Sequence, residues 1–332
     1  MRVFAPGRFS GRTLKKNRLC AILNRDMEDI AMNTAKKISG AKMRISVIIP
    51  TLNAGGELTA LMERLRAQTT APDEIIVVDS QSTDDTVQRA KDAGATVIPI
   101  ARKDFDHGGT RDMAIRKSSG DVVIMMTQDA MPDGTDAMER LIAPLSDPRV
   151  AAVGGRQVPK ADARAFERLV REHNYPAESR VWDASAIECM GVRAFMISDV
   201  FAAYRRESYL AVGGFDHPIM TNEDMLMVQR LLEAGYRIAY AGDACVRHSH
   251  NLTMKQQFRR NYIVGRTMQR YEERFCHVQE MGEGTKLAKA VLMQLIKEGH
   301  PLEAICFCLD CAARLLGNRL GRRDETKMGR AK

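Results

Sequence analysis

Long apolar segments, patterned cysteines and familiar phosphate-binding motifs are all missing from this 332-residue sequence. No stretch reaches the roughly 18–20 uninterrupted apolar residues of a membrane-spanning helix. The basic N-terminus lacks the apolar core and cleavage site of a signal peptide, and the seven cysteines are scattered and odd in number. No GxGxxG follows the first predicted strand, and no GxxxxGK[ST] is present. We therefore expect a cytoplasmic protein that is neither a dinucleotide-binding nor a P-loop enzyme.

The net charge of +8 is unevenly distributed along the chain. Residues 1–44 contain eleven basic and three acidic residues, and the tail from Arg319 contains six basic and two acidic ones. Residues 45–318 therefore have a net charge of −4. A groove for duplex DNA concentrates positive charge on the folded domain, so we expect no nucleic-acid partner. The basic ends suit an anionic membrane surface better.

Alternating apolar strands and amphipathic helices predict an α/β fold with a mainly parallel sheet. Buried strands are predicted at residues 45–50, 74–79, 96–100, 121–126, 150–153 and 236–240. A glycine-containing loop, 106–110, leads into a helix from Arg111, and the chain is mostly helical from Met254 onward. We divide the chain into a basic arm (1–43), an α/β domain (44–270) and a helical extension with a basic tail (271–332).

Two segments leave alternatives open. The first 42 residues are either a flexible arm or the product of a wrongly chosen start codon. Cys306, Cys308 and Cys311 form either part of a zinc site, which needs a fourth ligand, or a set of small side chains on a helix.

Polar residues follow three of the predicted strands, at the edge where a parallel sheet binds ligands. Thr51 and Asn53 follow the first strand, the segment 79–84 ends the second, and Asp129 follows the fourth. Asp129 closes an apolar strand, where an unpaired carboxylate is costly. It either binds Mg²⁺ or Mn²⁺ beside a diphosphate or accepts hydrogen bonds from a neighbouring loop.

The second half of the chain adds acidic residues and histidines. Glu223 and Asp224 open a helix, where they either complement the helix dipole or take part in chemistry. His248 and His250 follow the last predicted strand. Two residues apart on an extended segment, they would point to opposite sides, so we expect at most one to face the site.

In this order and spacing, the motifs resemble those of family 2 glycosyltransferases, which have the GT-A fold. The resemblance runs from about Arg44 to Gln269. The matching segments are 47–53, 77–84, 109–111, 127–129, 212–216 and 222–224. A finer resemblance, to bacterial rhamnosyltransferases of surface polysaccharide synthesis, rests on the segments 105–111, 127–130, 248–250 and 258–260.

The resemblance implies an inverting transfer of a sugar, for which we expect L-rhamnose. The donor would be a nucleotide-diphosphate sugar and the acceptor a glycan or a polyprenyl-linked glycan. Asp224 would be the catalytic base, with Glu223 beside it, and Asp129 and His248 would hold Mg²⁺ or Mn²⁺. The donor nucleotide would bind at Thr51, Asn53, Asp79, Ser80, His107, Gly108 and Arg111. This chain has Thr127 where the family often has the first Asp of its metal motif, and Asp112 where rhamnosyltransferases usually have Asn.

Three alternatives remain at this point. The donor could be another nucleotide sugar, such as a UDP-hexose. A nucleotidyltransferase normally needs a basic, glycine-rich loop after the first strand, and the segment 51–55 has no basic residue. A non-catalytic nucleotide-sugar-binding protein would have little need for both Asp129 and Asp224.

A lipid-linked acceptor would suit the helical extension. Its apolar stripe consists of Leu287, Val291, Leu292 and Leu295 and lies near several lysines. Residues 304–316 form another apolar helix, which basic residues follow. These helices either dock on the anionic inner leaflet of the membrane or pack on the catalytic domain.

Overall fold

The computed structural model describes residues 43–275 and 283–330. The predicted basic arm, apart from Met43, and the start-codon question therefore lie outside the described residues. Among the described residues, no helix is both long and apolar enough to cross a membrane.

Nine strands in the described part of the chain form one mixed sheet. They are β1 (Ile45–Thr51), β2 (Glu74–Asp79), β3 (Thr96–Pro99), β4 (Val122–Met126), β5 (Met131–Pro132), β6 (Val150–Val158), β7 (Arg180–Trp182), β8 (Phe201–Arg205) and β9 (Arg237–Arg247). Their order is β3-β2-β1-β4-β8-β6-β9-β5, with β7 beside β9. The first four strands of this order are parallel, whereas β8 runs antiparallel to both β4 and β6. The predicted α/β fold with a mainly parallel sheet is confirmed.

Helices fill most of the connections between the strands. The α-helices are α1 (Gly55–Arg66), α2 (Thr86–Asp92), α3 (His107–Lys117), α4 (Ala137–Ile142), α5 (Ala165–Asn174), α6 (Ile187–Met190), α7 (Arg206–Ala211), α8 (Glu223–Glu233), α9 (Met254–Arg270), α10 (Glu272–Phe275), α11 (Glu283–Lys297) and α12 (Pro301–Arg330). Short 3-10 helices span Arg102–Asp104, Ala143–Ser146, Ala184–Ala186 and Gly191–Phe195.

Helix α3 begins at His107, four residues before the predicted start at Arg111. The reason is a cap: the side chain of Asp106 accepts a hydrogen bond from the backbone N–H of Gly109 at 2.5 Å. The predicted glycine loop 106–110 is therefore mostly the first turn of this helix.

The core lies between the sheet and helices such as α1. Strand β1 is buried on both faces, as expected for a strand inside a parallel sheet. The apolar stripe of α1, formed by Leu58, Leu61, Met62 and Leu65, is buried against it. Each buried leucine contributes about 1.5–3 kcal/mol of hydrophobic stabilisation.

The C-terminal helices α11 and α12 pack against α5. Phe166 of α5 forms an apolar cluster with side chains of α11 and α12, and Leu287, Val291, Leu292 and Leu295 all belong to it. The packing alternative is therefore correct for that stripe, whereas contact of the helical extension with a membrane stays a prediction. Cys306, Cys308 and Cys311 lie on the continuous helix α12, two of them against the same cluster, as in the helical alternative for these residues.

Candidate active site

Three polar groups lie along the edge formed by the carboxyl ends of β1, β2 and β4. Thr51 and Asp79 are register partners at the ends of β1 and β2. Gln128, just after β4, accepts a hydrogen bond at 2.8 Å from the backbone of the loop after β1. The N–H of Thr127 donates to the carbonyl of Val200, just before β8, at 3.4 Å. These contacts bring the segments that follow β1, β2 and β4 and precede β8 to one place.

The first group surrounds Asp79. Its buried carboxylate accepts hydrogen bonds from the Thr51 hydroxyl at 3.1 Å, the Ser82 N–H at 2.9 Å and the Ser82 hydroxyl at 2.5 Å. A carboxylate has about four acceptor positions, so one remains for a donor on a ligand. Asn53 has a left-handed backbone (φ 50°), and its side-chain oxygen accepts a backbone N–H at 2.9 Å. The buried hydroxyl of Ser80 has no hydrogen-bond partner among the described residues.

The second group places two carboxylates against one arginine and a third carboxylate beside them. Arg111, on α3, is buried, with Nη1 3.3 Å from Glu223 Oε1 and Nε 3.6 Å from Asp199 Oδ2. Asp224 follows Glu223 at the start of α8, and its Oδ2 accepts the N–H of Asp199 at 3.4 Å. Nδ1 of His107 lies 3.7 Å from Glu223 Oε1. With one guanidinium for three carboxylates, the group favours protonation of one carboxyl.

Burial and charge give these carboxyls different pKa values. Burial raises the pKa of Asp224 well above its ordinary value, and Glu223 and Asp199 raise it further. Burial also raises the pKa of Asp199 to about 7, although Arg111 acts in the opposite direction. Burial acts on Glu223 in the same way, but Arg111 and His107 hold the pKa of Glu223 below its ordinary value. Glu223 is thus the ionised partner of Arg111, whereas Asp224 readily accepts a proton.

The third group consists of Asp129, His248 and His250. Each histidine Nε2 lies 3.4 Å from Asp129 Oδ2, and one ligand atom from each residue lies within 4.8 Å of the others. Strand β5 pairs antiparallel with β9, with Met131 opposite Arg247, so the residues before β5 meet those after β9. The prediction that at most one histidine faces the site is wrong. Strand β9 ends at Arg247, and side-chain alternation does not extend past the strand.

A buried glutamine on β6 orients one of these histidines. Gln157 Oε1 lies 2.9 Å from His248 Nδ1 and also accepts a hydrogen bond from Arg171, while its amide nitrogen donates to the Tyr175 hydroxyl at 2.8 Å. Because this oxygen only accepts, His248 carries a proton on Nδ1. In neutral His248, the Nε2 lone pair then faces Asp129 Oδ2, and a cation between the two acceptors would stabilise the arrangement.

The donor set of the third group fits a divalent cation. Burial would raise the pKa of Asp129, but a protonated His248, which donates to this carboxylate when no cation is bound, holds it well below its ordinary range. Burial, followed by the charge of His248, lowers the pKa of His250 and favours the neutral, metal-binding form of its ring. Two imidazoles and a carboxylate suit Mn²⁺ better than Mg²⁺, which prefers oxygen ligands.

Packing within the protein explains why a glycine stands at one of the predicted nucleotide-binding positions, Gly108. A Cβ atom at Gly108 would lie 2.0 Å from the carbonyl oxygen of Asp216, so the glycine allows the close approach of two segments. Its contact with the donor stays a prediction. Sequence reasoning missed Asp199 and Gln157. Asp199 directly precedes an apolar strand, just as Asp129 follows one, so its position could have indicated a site residue. No local sequence pattern distinguishes Gln157.

The family of the chain follows from comparison with known proteins. The sequence model of Glycosyl transferase family 2 matches residues 46–213, which is half of the chain. The chain belongs to this family and is a glycosyltransferase, as the motifs predicted.

Two relatives from bacteria are similar over most of their length. The chain is 38% identical over 284 residues to the O-antigen chain rhamnosyltransferase RfbN of Salmonella typhimurium, covering 84% of this chain and 90% of that protein. It is 36% identical over 281 residues to the O-antigen chain rhamnosyltransferase WbaN of Salmonella anatum, covering 83% and 89%. The predicted resemblance to bacterial rhamnosyltransferases is confirmed.

A solved structure shares the fold. The mannosyltransferase PcManGT from Pyrobaculum calidifontis, in complex with GDP-Man and Mn²⁺, aligns with a TM-score of 0.57. The alignment covers 93% of this chain and 98% of that one, at 16% sequence identity. The likeness at this identity concerns the fold alone and confirms the predicted GT-A architecture.

Proposed function

We propose that this enzyme transfers L-rhamnose, with inversion, from a nucleotide-diphosphate donor to a glycan in surface polysaccharide synthesis. The observation that carries the proposal is the alignment of the Asp79, Asp224 and Asp129 groups along one edge of the sheet. The choice of sugar is supported by 38% identity to a rhamnosyltransferase over 90% of that relative. The UDP-hexose alternative has no comparable support.

The proposed reaction is a single displacement with Asp224 as base. The acceptor oxygen forms a bond to the anomeric carbon while the bond from that carbon to the diphosphate oxygen breaks. The acceptor proton passes to Asp224, and the diphosphate leaves with the bonding electrons. Glu223, kept ionised by Arg111, raises the proton affinity of Asp224. We assign Arg111 mainly to this pairing, and its contact with the donor diphosphate remains a further proposal.

Asp129, His248 and His250 are the proposed ligands of a divalent cation, with Mn²⁺ preferred over Mg²⁺. When bound, the cation would supply positive charge that offsets the charge developing on the leaving diphosphate. The free acceptor position on Asp79 and the hydroxyl of Ser80 would bind the nucleoside.

A donor screen tests this function. A ligand present at 100 times its Kd stabilises a protein by about 2.7 kcal/mol, which is readily seen as a rise in Tm. Among UDP, dTDP and GDP sugars tested with Mn²⁺, we expect those that carry rhamnose to give the largest rise in Tm. Turnover of these donors should release a nucleoside diphosphate. Turnover of a UDP-hexose but not of any rhamnose donor would favour the other-donor alternative. Release of pyrophosphate from a nucleoside triphosphate would favour a nucleotidyltransferase.

The orienting role of Gln157 gives a second prediction. Gln157→Leu removes the acceptor that fixes the ring of His248, so the affinity for Mn²⁺ should fall about 10–100-fold. Gln157→Glu keeps an acceptor at that position and should restore binding. Paramagnetic resonance titration of Mn²⁺ without substrates measures both variants.

A buried glutamine elsewhere is the matched control for this prediction. Gln229, on α8, is also buried and hydrogen-bonded, and Gln229→Leu should leave the affinity for Mn²⁺ unchanged. Equal Mn²⁺ affinities in Gln157→Leu and the wild type would remove the orienting role.

We further propose that the acceptor is carried on a polyprenyl lipid. The similarity to rhamnosyltransferases of surface polysaccharide synthesis supports such an acceptor. It would place the enzyme in the cytoplasm, at the inner face of the membrane, in peripheral contact with anionic lipid.

A further inference from the structure

Exposed apolar side chains are concentrated on the C-terminal helices. Thirteen large hydrophobic side chains are exposed in the described part of the chain, and nine of them lie on α11 and α12. These nine are Met293, Ile296, Leu302, Ile305, Leu309, Leu315, Leu316, Leu320 and Met328. Leu302 alone is 77% exposed, and exposed apolar side chains that lie together, unlike scattered ones, mark an interaction surface. These nine residues are not those of the apolar stripe predicted from the sequence, which is packed inside the protein.

Most of these residues on α12 share one face of the helix. Leu302, Ile305, Leu309, Leu316 and Leu320 recur at the spacing of a single helical side. The opposite side of α12 packs on α9, where a Cβ atom at Gly321 would lie 2.0 Å from the Tyr262 carbonyl oxygen. We call the exposed side of α11 and α12 the outer face. From Leu302 to Met328 it extends for about 40 Å.

The charged side chains on the outer face are nearly all of one sign. The exposed cations of α11 and α12 include Lys289, Lys297, Arg319, Arg323 and Lys327. The described carboxylates of α12 bind arginine or tyrosine side chains instead, and they are Glu303, Asp310, Asp324 and Glu325. One exposed carboxylate, Glu298, lies in the turn between the two helices. The outer face is therefore apolar and basic.

We infer that the outer face docks on an anionic lipid surface, with α11 and α12 lying in the headgroup region. Helices that combine an apolar side with Lys and Arg bind membranes in this way. Each cation close to an anionic leaflet increases partition by about fivefold. A second copy of the chain is disfavoured as the occupant, because two basic faces would repel each other. The biological role of this docking rests on the proposed lipid-linked acceptor, but lipid binding itself does not depend on sugar transfer.

Vesicle sedimentation of the full chain tests the inference. We expect wild-type protein to bind vesicles that contain phosphatidylglycerol and to bind pure phosphatidylcholine weakly. Lys289→Gln/Arg323→Gln should reduce binding to the anionic vesicles by about 25-fold. Ile305→Gln/Leu309→Gln should reduce it by at least about tenfold, through lost apolar burial. Val181→Gln, at an exposed apolar position on β7, is the matched control and should bind as the wild type does.

Three outcomes would overturn the inference. The first is no binding of the wild type to anionic vesicles, and the second is equal binding of the wild type and both double variants. The third is a wild-type dimer, formed without lipid, that Ile305→Gln/Leu309→Gln abolishes, because a second copy would then cover the face. Transfer to a water-soluble acceptor, measured on the same preparations, distinguishes the two proposals. Intact transfer without lipid binding contradicts only the docking, and intact binding without transfer contradicts only the proposed function.

Discussion

An Asp224→Asn variant should transfer sugar about 10²–10⁴-fold more slowly than the wild type while binding the donor equally well. The amide keeps the shape of the side chain but cannot take the proton of the acceptor hydroxyl. The wild-type carboxyl is suited to that task, because burial, Glu223 and Asp199 all raise the pKa of Asp224. Transfer rates at saturating donor, together with donor affinity from calorimetry, measure the two effects separately.

The same variant should be at least as stable as the wild type at neutral pH. A carboxyl whose pKa rises on folding is costly to ionise in the folded state, so the folded state loses stability as the pH rises above the ordinary, unfolded-state pKa of that carboxyl. The neutral amide of Asp224→Asn removes this cost. As the pH falls toward the ordinary aspartate value of about 4, the wild-type carboxyl becomes protonated in both states and the difference in Tm should narrow. Rising stability with falling activity is the expected signature of a catalytic carboxyl.

A matched control lies on the same helix. Glu233→Gln changes an exposed carboxylate at the end of α8 into an amide and should leave transfer unchanged. Turnover of Asp224→Asn at the wild-type rate would exclude Asp224 as the base. Loss of donor binding together with activity would instead indicate a structural role for this residue.

The parallel half of the sheet could be predicted from the sequence, but several strands of the other half could not. Strands β1 to β4 lie within one residue of their predicted bounds at each end. The central ones, β1 and β4, are continuous apolar runs because both of their faces are buried. Strands β5 and β7 have two and three residues, too few for a periodic pattern. They exist because they pair with β9, a contact between distant segments.

The site shows the same limit at the level of single residues. Asp129 and His248 belong to segments that match the family and could be predicted. His250 could not, because alternation along an extended segment allows at most one of the two histidines to face the site. Asp199 acquires its role only where Arg111 reaches it, and these residues are far apart in the sequence. Local patterns describe one segment at a time, so they identify the ends of strands but not the partners that the fold brings there.

An Asp129→Asn variant should bind Mn²⁺ at least about 100-fold more weakly and should lose metal-dependent donor binding. Loss of an outer-shell partner alone costs 10–100-fold, and a ligand contributes more. The Asp129 carboxylate is the atom group toward which His248 and His250 both point, each with Nε2 at 3.4 Å. The amide has nearly the same shape as the carboxylate but no charge, so the substitution removes the electrostatic attraction for the cation. Paramagnetic resonance titration without donor measures the metal, and calorimetry with and without Mn²⁺ measures the donor.

Asp133→Asn is the control for this prediction. The Asp133 carboxylate is close to Asp129 in the sequence but pairs with Arg247 at 3.1 Å. This variant should bind Mn²⁺ as the wild type does. The two active-site variants should then fail at different steps: Asp129→Asn loses the metal before any chemistry, whereas Asp224→Asn keeps metal and donor but not transfer. Wild-type Mn²⁺ affinity in Asp129→Asn would remove Asp129 from the metal group. Full wild-type activity in excess chelator would go further, because transfer would then depend on the protein's own side chains alone.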